Sequence, residues 1–342
     1  MIYLQSWDNL ETNSFVSIVI PTWNSWKTLK HCLKALSSQT YPCSLFEVIV
    51  VNDGSADETG TSLGKLKFPF SLTYLWQKNK GRASARNLGV KYAKGEYILF
   101  LDADIIPTPT LIDQHISRYK SKRKIYVQGK VIPHPKASIL GKYCTIQMNA
   151  GKKIHPLTWN LSIKKKDLYS VGLFDEKEFQ EYGYEDFDLG IRLQKMNVSL
   201  FYAKQAVAYH QSTGDLQSFI WKSWELGKNF IKFIRLHPEV LNKTRENAYH
   251  QRYLQNLKDI LHFYPAPLSQ REKIVRIVKD LEGRKDPQSR KELRDFYNLI
   301  MGHSFFEGAQ TELNHFAQKK PIFAKHKPCP SKEAQLFQKE EK

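Results

Sequence analysis

Two acidic pairs and one histidine are the side chains of this sequence best placed for chemistry. Tyr97 to Leu101 form an apolar run that leads straight into Asp102-Ala103-Asp104, with Ile105, Ile106 and Pro107 behind. A run of this length suits a strand buried on both faces of a parallel sheet, whose C-terminal end borders the ligand crevice. Asp102 and Asp104 alternate along a strand, but a turn beginning here lets both swing toward one cation. Carboxylate oxygens are hard ligands that suit Mg2+ or Mn2+. Asp-x-Asp alone also fits an ordinary turn, so its weight depends on what surrounds it. Glu185 and Asp186 follow Gly183 at an expected helix start, where the positive dipole end favours acids; capping alone would account for them too. His210 ends a last strand pattern, Ala203 to His210; a lone histidine is usually structural, though imidazole also suits Mn2+.

These groups need a scaffold, and the pattern supplies one. Residues 15–20, FVSIVI, read as a buried strand stopped by Pro21. Trp26, Leu29, Cys32, Leu33 and Leu36 recur at helical spacing after it. FEVIVVND, 46–53, is a second buried strand, 72–77 a third, 82–93 a helix, and 97–101 the strand already described. Such alternation predicts an α/β fold with a doubly wound, mostly parallel sheet and helices on both faces. Each strand ends in polar residues: Thr22 and Asn24, Asp53 and Ser55, Asn79, then Asp102 and Asp104. Four polar strand ends in succession describe one shared rim. Neither GxGxxG nor GxxxxGK[ST] occurs, so phosphates on this rim would be held by a metal and basic side chains.

Composition narrows the class. The 342 residues carry a net charge of +18, spread along the chain, which favours anionic partners: nucleotide diphosphates, acidic membrane surfaces or nucleic acid, among which charge alone does not choose. The four cysteines are far apart and form no CxxC pair, which argues against a zinc site or disulfide framework and for a reducing compartment. No run reaches the roughly 18 apolar residues of a membrane span, and the opening MIYLQSWDNLE lacks the pattern of a signal peptide.

VSIVIPTWN, FEVIVVNDGSADET, NKGRASARNLGVKYAKGEYILFLDADIIP and GYEDFDLGIRL together resemble a family-2 glycosyltransferase with the GT-A fold, over roughly residues 15–212. The resemblance implies an inverting, metal-dependent transfer of a sugar from a nucleotide sugar, UDP-linked, to a saccharide, lipid-linked or peptide acceptor. It places Pro21, Thr22 and Asn24 on the first nucleotide-contacting loop and makes Asp53, with Ser55 beside it, the acid that reads uracil or ribose. Gly81, Arg82, Arg86 and Asn87 match the segment that closes over the nucleotide. Arg86 equally suits a structural pair with a sheet-edge acid. Asp102, Ala103 and Asp104 match the Asp-x-Asp motif, with Asp104 and Asp102 on Mn2+ or Mg2+ and His210 a third ligand. Asp186 matches the catalytic base, with Glu185 binding the acceptor or sharing that role.

The remaining features are structural first. Trp159 reads as buried, Lys164–Lys166 as a solvated face, and Asp188 with Arg192 as a helical ion pair. Residues 218–240 form an aromatic, basic amphipathic helix ended by Pro238, suited to packing on the catalytic domain, with a membrane surface as the second reading. Helical patterns follow at 271–282 and 289–301, then a Lys-, Pro- and Glu-rich stretch at 319–342. The expected organisation is a catalytic domain at 1–212, with a nucleotide-sugar half at 15–125 and an acceptor half at 126–212. A helical region at 213–318 and a loose basic tail complete it. The expected site of action is the cytoplasm or the inner face of the cell membrane, in envelope polysaccharide synthesis, with no nucleic-acid partner. Two other classes compete: a nucleotidyltransferase using the same crevice, and an inactive glycan- or membrane-binding module.

Overall fold

The computed structural model describes residues 14–120, 124–149, 155–212, 214–241, 280, 282–284 and 286–318. Strands β1 (Val16–Thr22), β2 (Phe46–Asn52), β3 (Ser71–Trp76) and β4 (Tyr97–Leu101) pair in parallel in the order 3-2-1-4. Helices α1 (Trp26–Leu36), α2 (Thr59–Leu63) and α3 (Arg82–Tyr92) connect them. The side-chain period of two divides β1 between two cores. Val16, Ile18 and Ile20 face a cluster with Leu29 and Leu33 of α1, while Val19 faces Ala85 and Val90 of α3. Both faces of β1, β2 and β4 are covered, hence their near-continuous apolar runs.

The second half departs from the parallel alternation of the first. β5 (Ile105–Pro107), α4 (Leu111–Ile116), β6 (Ile125–Pro133), α5 (Ile139–Asn149), β7 (Asn160–Lys164), α6 (Lys165–Ser170), α7 (Glu185–Lys195) and β8 (Ser199–His210) follow. The sheet continues β4-β7-β6-β8-β5, with β7 antiparallel to both β4 and β6, and β5 antiparallel to β8. The long β8, paired in parallel with β6, carries the chain back to the rim where β4 ends. Helix α5 occupies the stretch after PHP whose pattern is less regular in sequence.

Helix α8 (Leu216–Leu236) is the aromatic, basic helix, and it stops two residues before Pro238. Its Phe230 and Phe233 are buried against Phe179 and Tyr184, and against Phe305 of α9 (Pro287–Gln318). Core packing is thus the role of its apolar face. The 289–301 pattern falls within α9, with Pro287 at its first position. Most of the 271–282 pattern and all of 319–342 lie outside the described residues. Among the described residues no helix is long and apolar enough to cross a membrane.

Candidate active site

Three loops at the C-terminal ends of β1, β2 and β3 are stitched together by side chains of the rim. The Asn24 backbone amide donates to Ser55 Oγ at 2.9 Å, and Asn24 Oδ1 accepts from the Ala56 amide at 2.7 Å. Asn24 holds a left-handed φ of 48° to do so. Asp53, 5% exposed, accepts from Gln77 Nε2 and the Lys80 and Gly81 amides at 2.7, 2.8 and 2.9 Å. Its carboxylate therefore holds the loop that begins α3. Thr22 is buried beside it, and its Oγ1 has no hydrogen-bond partner; Pro21 precedes it on β1. Gly81 has φ of 87°, and a Cβ there would lie 1.9 Å from the Gln180 carbonyl oxygen. The loop before α3 thus touches the loop before α7.

Arg86 of α3 joins the two acidic motifs. Its Nη1 donates to Glu185 Oε1 at 2.8 Å and its Nη2 to Asp102 Oδ1 at 2.9 Å, with the guanidinium 1% exposed. The pairing with a sheet-edge acid is the arrangement observed. Asn87, on the next position, exchanges hydrogen bonds with the Phe174 backbone at 2.9 and 3.0 Å, which braces the loop leading to Glu185. Ala103 lies in the main core, so it can offer a ligand only its backbone.

Antiparallel pairing of β5 with β8 sets Ile105 opposite His210 and so brings Asp104 beside that histidine. His210 Nε2 lies 3.2 Å from Asp104 Oδ2. Burial opposes charge on both, but their mutual attraction prevails: the imidazole pKa is raised and the carboxyl pKa lowered, with the ammonium of Lys222 also lowering the latter. Lys222 comes from α8 and stands 5.5 Å from the ring of Tyr182, whose other cation is the Arg82 guanidinium at 4.2 Å. Lys222 carried no signal in the sequence beyond the amphipathic pattern of α8, and Tyr182 lies in the loop before α7.

Glu185 and Asp186 are presented by a strained turn. Gly183 (φ 101°) and Tyr184 (φ 70°) are left-handed, and Tyr184 precedes α7 without a side-chain cap. A Cβ on Gly183 would lie 2.4 Å from Leu226 of α8, and Asn229 of α8 donates to the Tyr182 carbonyl at 3.0 Å. Helix α8 therefore fixes where α7 begins. Glu185 is 2% exposed; its Oε1 also has Arg82 Nε at 3.9 Å, and its Oε2 has no partner. Asp186 is half-buried, with Oδ1 accepting from the Phe187 amide at 2.9 Å. Desolvation first and the neighbouring Glu185 second raise its pKa to about 8, against the pull of Arg86. One carboxyl is locked in an ion pair, and the next one holds a proton easily. Asp188, by contrast, is structural, bonded to Arg192 at 2.6 Å and to His237 at 2.8 Å.

Among the described residues no three acidic, histidine or cysteine side chains converge as a ready metal cage. Asp104 and His210 form a two-residue cradle, and Asp102 stands next to it with Oδ1 committed to Arg86. Trp159, 5% exposed, stacks edge-on against His210 at 5.3 Å between ring centroids.

Known proteins resemble this chain in sequence and in fold. Residues 17–166 match the family model described as glycosyl transferase family 2. An uncharacterized glycosyltransferase of Rickettsia prowazekii is 38% identical over 247 residues, covering 67% of this chain and 75% of its own. Validoxylamine A glucosyltransferase of Streptomyces hygroscopicus is 25% identical over 270 residues, 66% of this chain and 62% of its own. The chain spans about three fifths of the length of several curated relatives it matches. In fold, it is similar to a mannosyltransferase of Pyrobaculum calidifontis solved with GDP-mannose and Mn2+, at a TM-score of 0.60 and 17% identity over 89% of this chain and 88% of that one. The parallel β3-β2-β1-β4 half followed by the returning β8 is the GT-A arrangement expected above. With a relative at 38% identity and a matched family model, the chain belongs to the family 2 glycosyltransferases.

Proposed function

We propose that this glycosyltransferase moves a sugar from a UDP-linked donor to a hydroxyl of a saccharide, lipid-linked or peptide acceptor, with inversion at the anomeric carbon. The observation that carries the reading is the division of labour between Glu185 and Asp186. Glu185 is neutralised by Arg86 and buried; Asp186 is reachable, and burial beside Glu185 makes it a better proton acceptor than an ordinary carboxylate. The acceptor oxygen forms the new bond to the anomeric carbon as the bond to the diphosphate oxygen breaks. Asp186 takes the acceptor proton in that step. Glu185, buried with its Oε2 unpartnered, would act on the acceptor through Asp186, whose pKa it raises.

The residues present fit Mn2+ or Mg2+. Such ions are commonly held by one or two protein ligands together with substrate phosphates and water. Asp104 and His210 would hold the cation, with Asp102 beside them. Once bound, it would neutralise the departing diphosphate as a Lewis acid. Arg82 and Lys222, both against the Tyr182 ring, are the protein's own cations for the same charge. The rim formed by Thr22, Asn24, Asp53 and Ser55 positions the nucleoside. The catalytic unit then extends past residue 212, because α8 supplies Lys222 and sets the turn before α7. One relative is named as a poly(ribitol-phosphate) N-acetylglucosaminyltransferase of Staphylococcus aureus, 28% identical over 70% of this chain and 42% of its own. With a net charge of +18, an anionic envelope polymer at the inner membrane face is the acceptor class favoured here.

Calorimetric titration with UDP, GDP and TDP, each with and without Mn2+, tests the reading. Metal-dependent binding of UDP over the other two is expected. Binding of none, or binding indifferent to Mn2+, would overturn it.

A further inference from the structure

His210 touches more than Asp104. Its other ring nitrogen, Nδ1, lies 2.7 Å from Oγ1 of Thr145, a residue of α5 with no exposed surface. Thr145 Oγ1 also lies 2.8 Å from the Gly141 carbonyl, one turn earlier on the same helix. A hydroxyl has one hydrogen, and a carbonyl can only accept it. The Thr145 hydrogen therefore goes to Gly141 O, and the hydroxyl oxygen accepts a hydrogen from His210 Nδ1. Nitrogen Nε2 is then the ring position left for whatever faces Asp104. Without a cation, the 3.2 Å contact between Nε2 and Asp104 Oδ2 is a hydrogen bond held by a proton. The Nε2 lone pair and Asp104 Oδ2 would be the groups that hold a cation.

The ring also packs against Trp159, 5.3 Å away between centroids. Helix α5 is itself keyed to the end of β8, since Gly141 packs against Ser212, two residues after His210. A Cβ at Gly141 would approach Ser212 Cβ to 2.8 Å. The register between Thr145 and His210 is thereby built into the fold and does not depend on a flexible side chain.

We propose that Thr145 is a positioning residue for the divalent cation: its hydroxyl oxygen holds the Nδ1 hydrogen of His210 and leaves Nε2 to pair with Asp104 around the ion. The inference rests on the metal-dependent reading given above. Outer partners of this kind orient a histidine and raise its basicity, and their loss commonly weakens metal binding about 10- to 100-fold.

The test measures Mn2+ binding by electron paramagnetic resonance in the presence of UDP, on the wild type, Thr145→Val and Thr145→Ser. Thr145→Val, which keeps the shape and removes the hydroxyl, should weaken Mn2+ about 10- to 100-fold, and Thr145→Ser should restore it. Equal Mn2+ affinity in Thr145→Val and wild type overturns the inference while leaving the donor site standing. A wild type that binds neither Mn2+ nor UDP overturns the metal-dependent reading together with it. A measurement on the unsubstituted protein keeps the question answerable if Thr145→Val does not fold. In 15N-histidine-labelled protein with Mg2+ and UDP, His210 (assigned by its absence in His210→Gln) should be protonated at Nδ1 and bare at Nε2. The opposite assignment sinks the proposal.

Discussion

Arg86 and Glu185, 99 residues apart in sequence, meet at 2.8 Å in an ion pair almost closed to solvent. The same guanidinium reaches Asp102, so one side chain of α3 locks both acidic motifs in place. Breaking such a pair from one side leaves a buried charge without compensation and costs about 3–5 kcal/mol. Arg86→Met should therefore destabilise the fold by that order in urea unfolding and abolish transfer. Arg86→Met combined with Glu185→Leu should recover most of the stability and none of the activity. Recovery of activity in the double variant would show that neither charge serves the reaction.

On the proposed reading, Asp186 governs the acid side of the pH profile. As the base it works only when deprotonated, and its raised pKa moves the rise of kcat from the ordinary carboxylate range toward neutral or mildly alkaline pH. Asp186→Asn should lower kcat about 100- to 10,000-fold and leave UDP binding intact. Linkage gives a second expectation. The folded pKa exceeds the unfolded value of about 3.9, so this carboxyl's stabilisation is complete below that value and lost as pH rises through about 8. Unfolding midpoints of wild type and Asp186→Asn should then diverge as pH rises, with the variant gaining. A wild-type profile rising near pH 4 would assign the base elsewhere.

What the sequence made legible follows local rules. β1, β2 and β4 are read from continuous apolar runs because both their faces are buried, and α8 from its amphipathic spacing ended by Pro238. The pairing of Asp104 with His210 depends on β5 lying antiparallel to β8 across a separation of 106 residues, which no local pattern encodes. Arg86 satisfied two readings until the folded positions of Asp102 and Glu185 gave it both partners. Asp53 and Asn87 carry family motifs, yet much of their hydrogen bonding is spent on neighbouring loops. Thr145 and Lys222 were silent because α5 has a weak pattern and one lysine among many on a basic helix carries no mark.

Lys222 should matter to the diphosphate and not to the nucleoside. It lies on the first turns of α8, and its charge reaches Asp104 and His210 across the cradle. A charge-assisted hydrogen bond to phosphate contributes about 1.5–3 kcal/mol, so Lys222→Ala should weaken UDP binding about 10- to 100-fold. Lys222→Arg should keep most of the affinity, and uridine should bind all three proteins alike. Titration calorimetry decides it; an equal loss for uridine would mean that α8 had shifted and that the charge was not the cause.

Gly81 is where the loop before α3 meets the loop before α7. It combines a left-handed φ of 87° with a missing side chain, since a Cβ would lie 1.9 Å from the backbone oxygen of Gln180. Alanine there adds strain of about 1–3 kcal/mol and forces the 81 and 180 loops apart. The movement also pulls the Gly81 amide from Asp53 and shifts Arg82 away from Tyr182 and Glu185. Gly172 supplies the control: its φ is 81°, but nothing lies within 4 Å of its would-be Cβ. Gly172→Ala should carry the strain alone, seen in urea unfolding, with UDP affinity unchanged. Gly81→Ala should lose both stability and UDP affinity. Equal behaviour of the two variants would show that contact between the loops is incidental to donor binding. A selective loss in Gly81→Ala would show that the acceptor-side turn and the nucleotide loop are held as one unit.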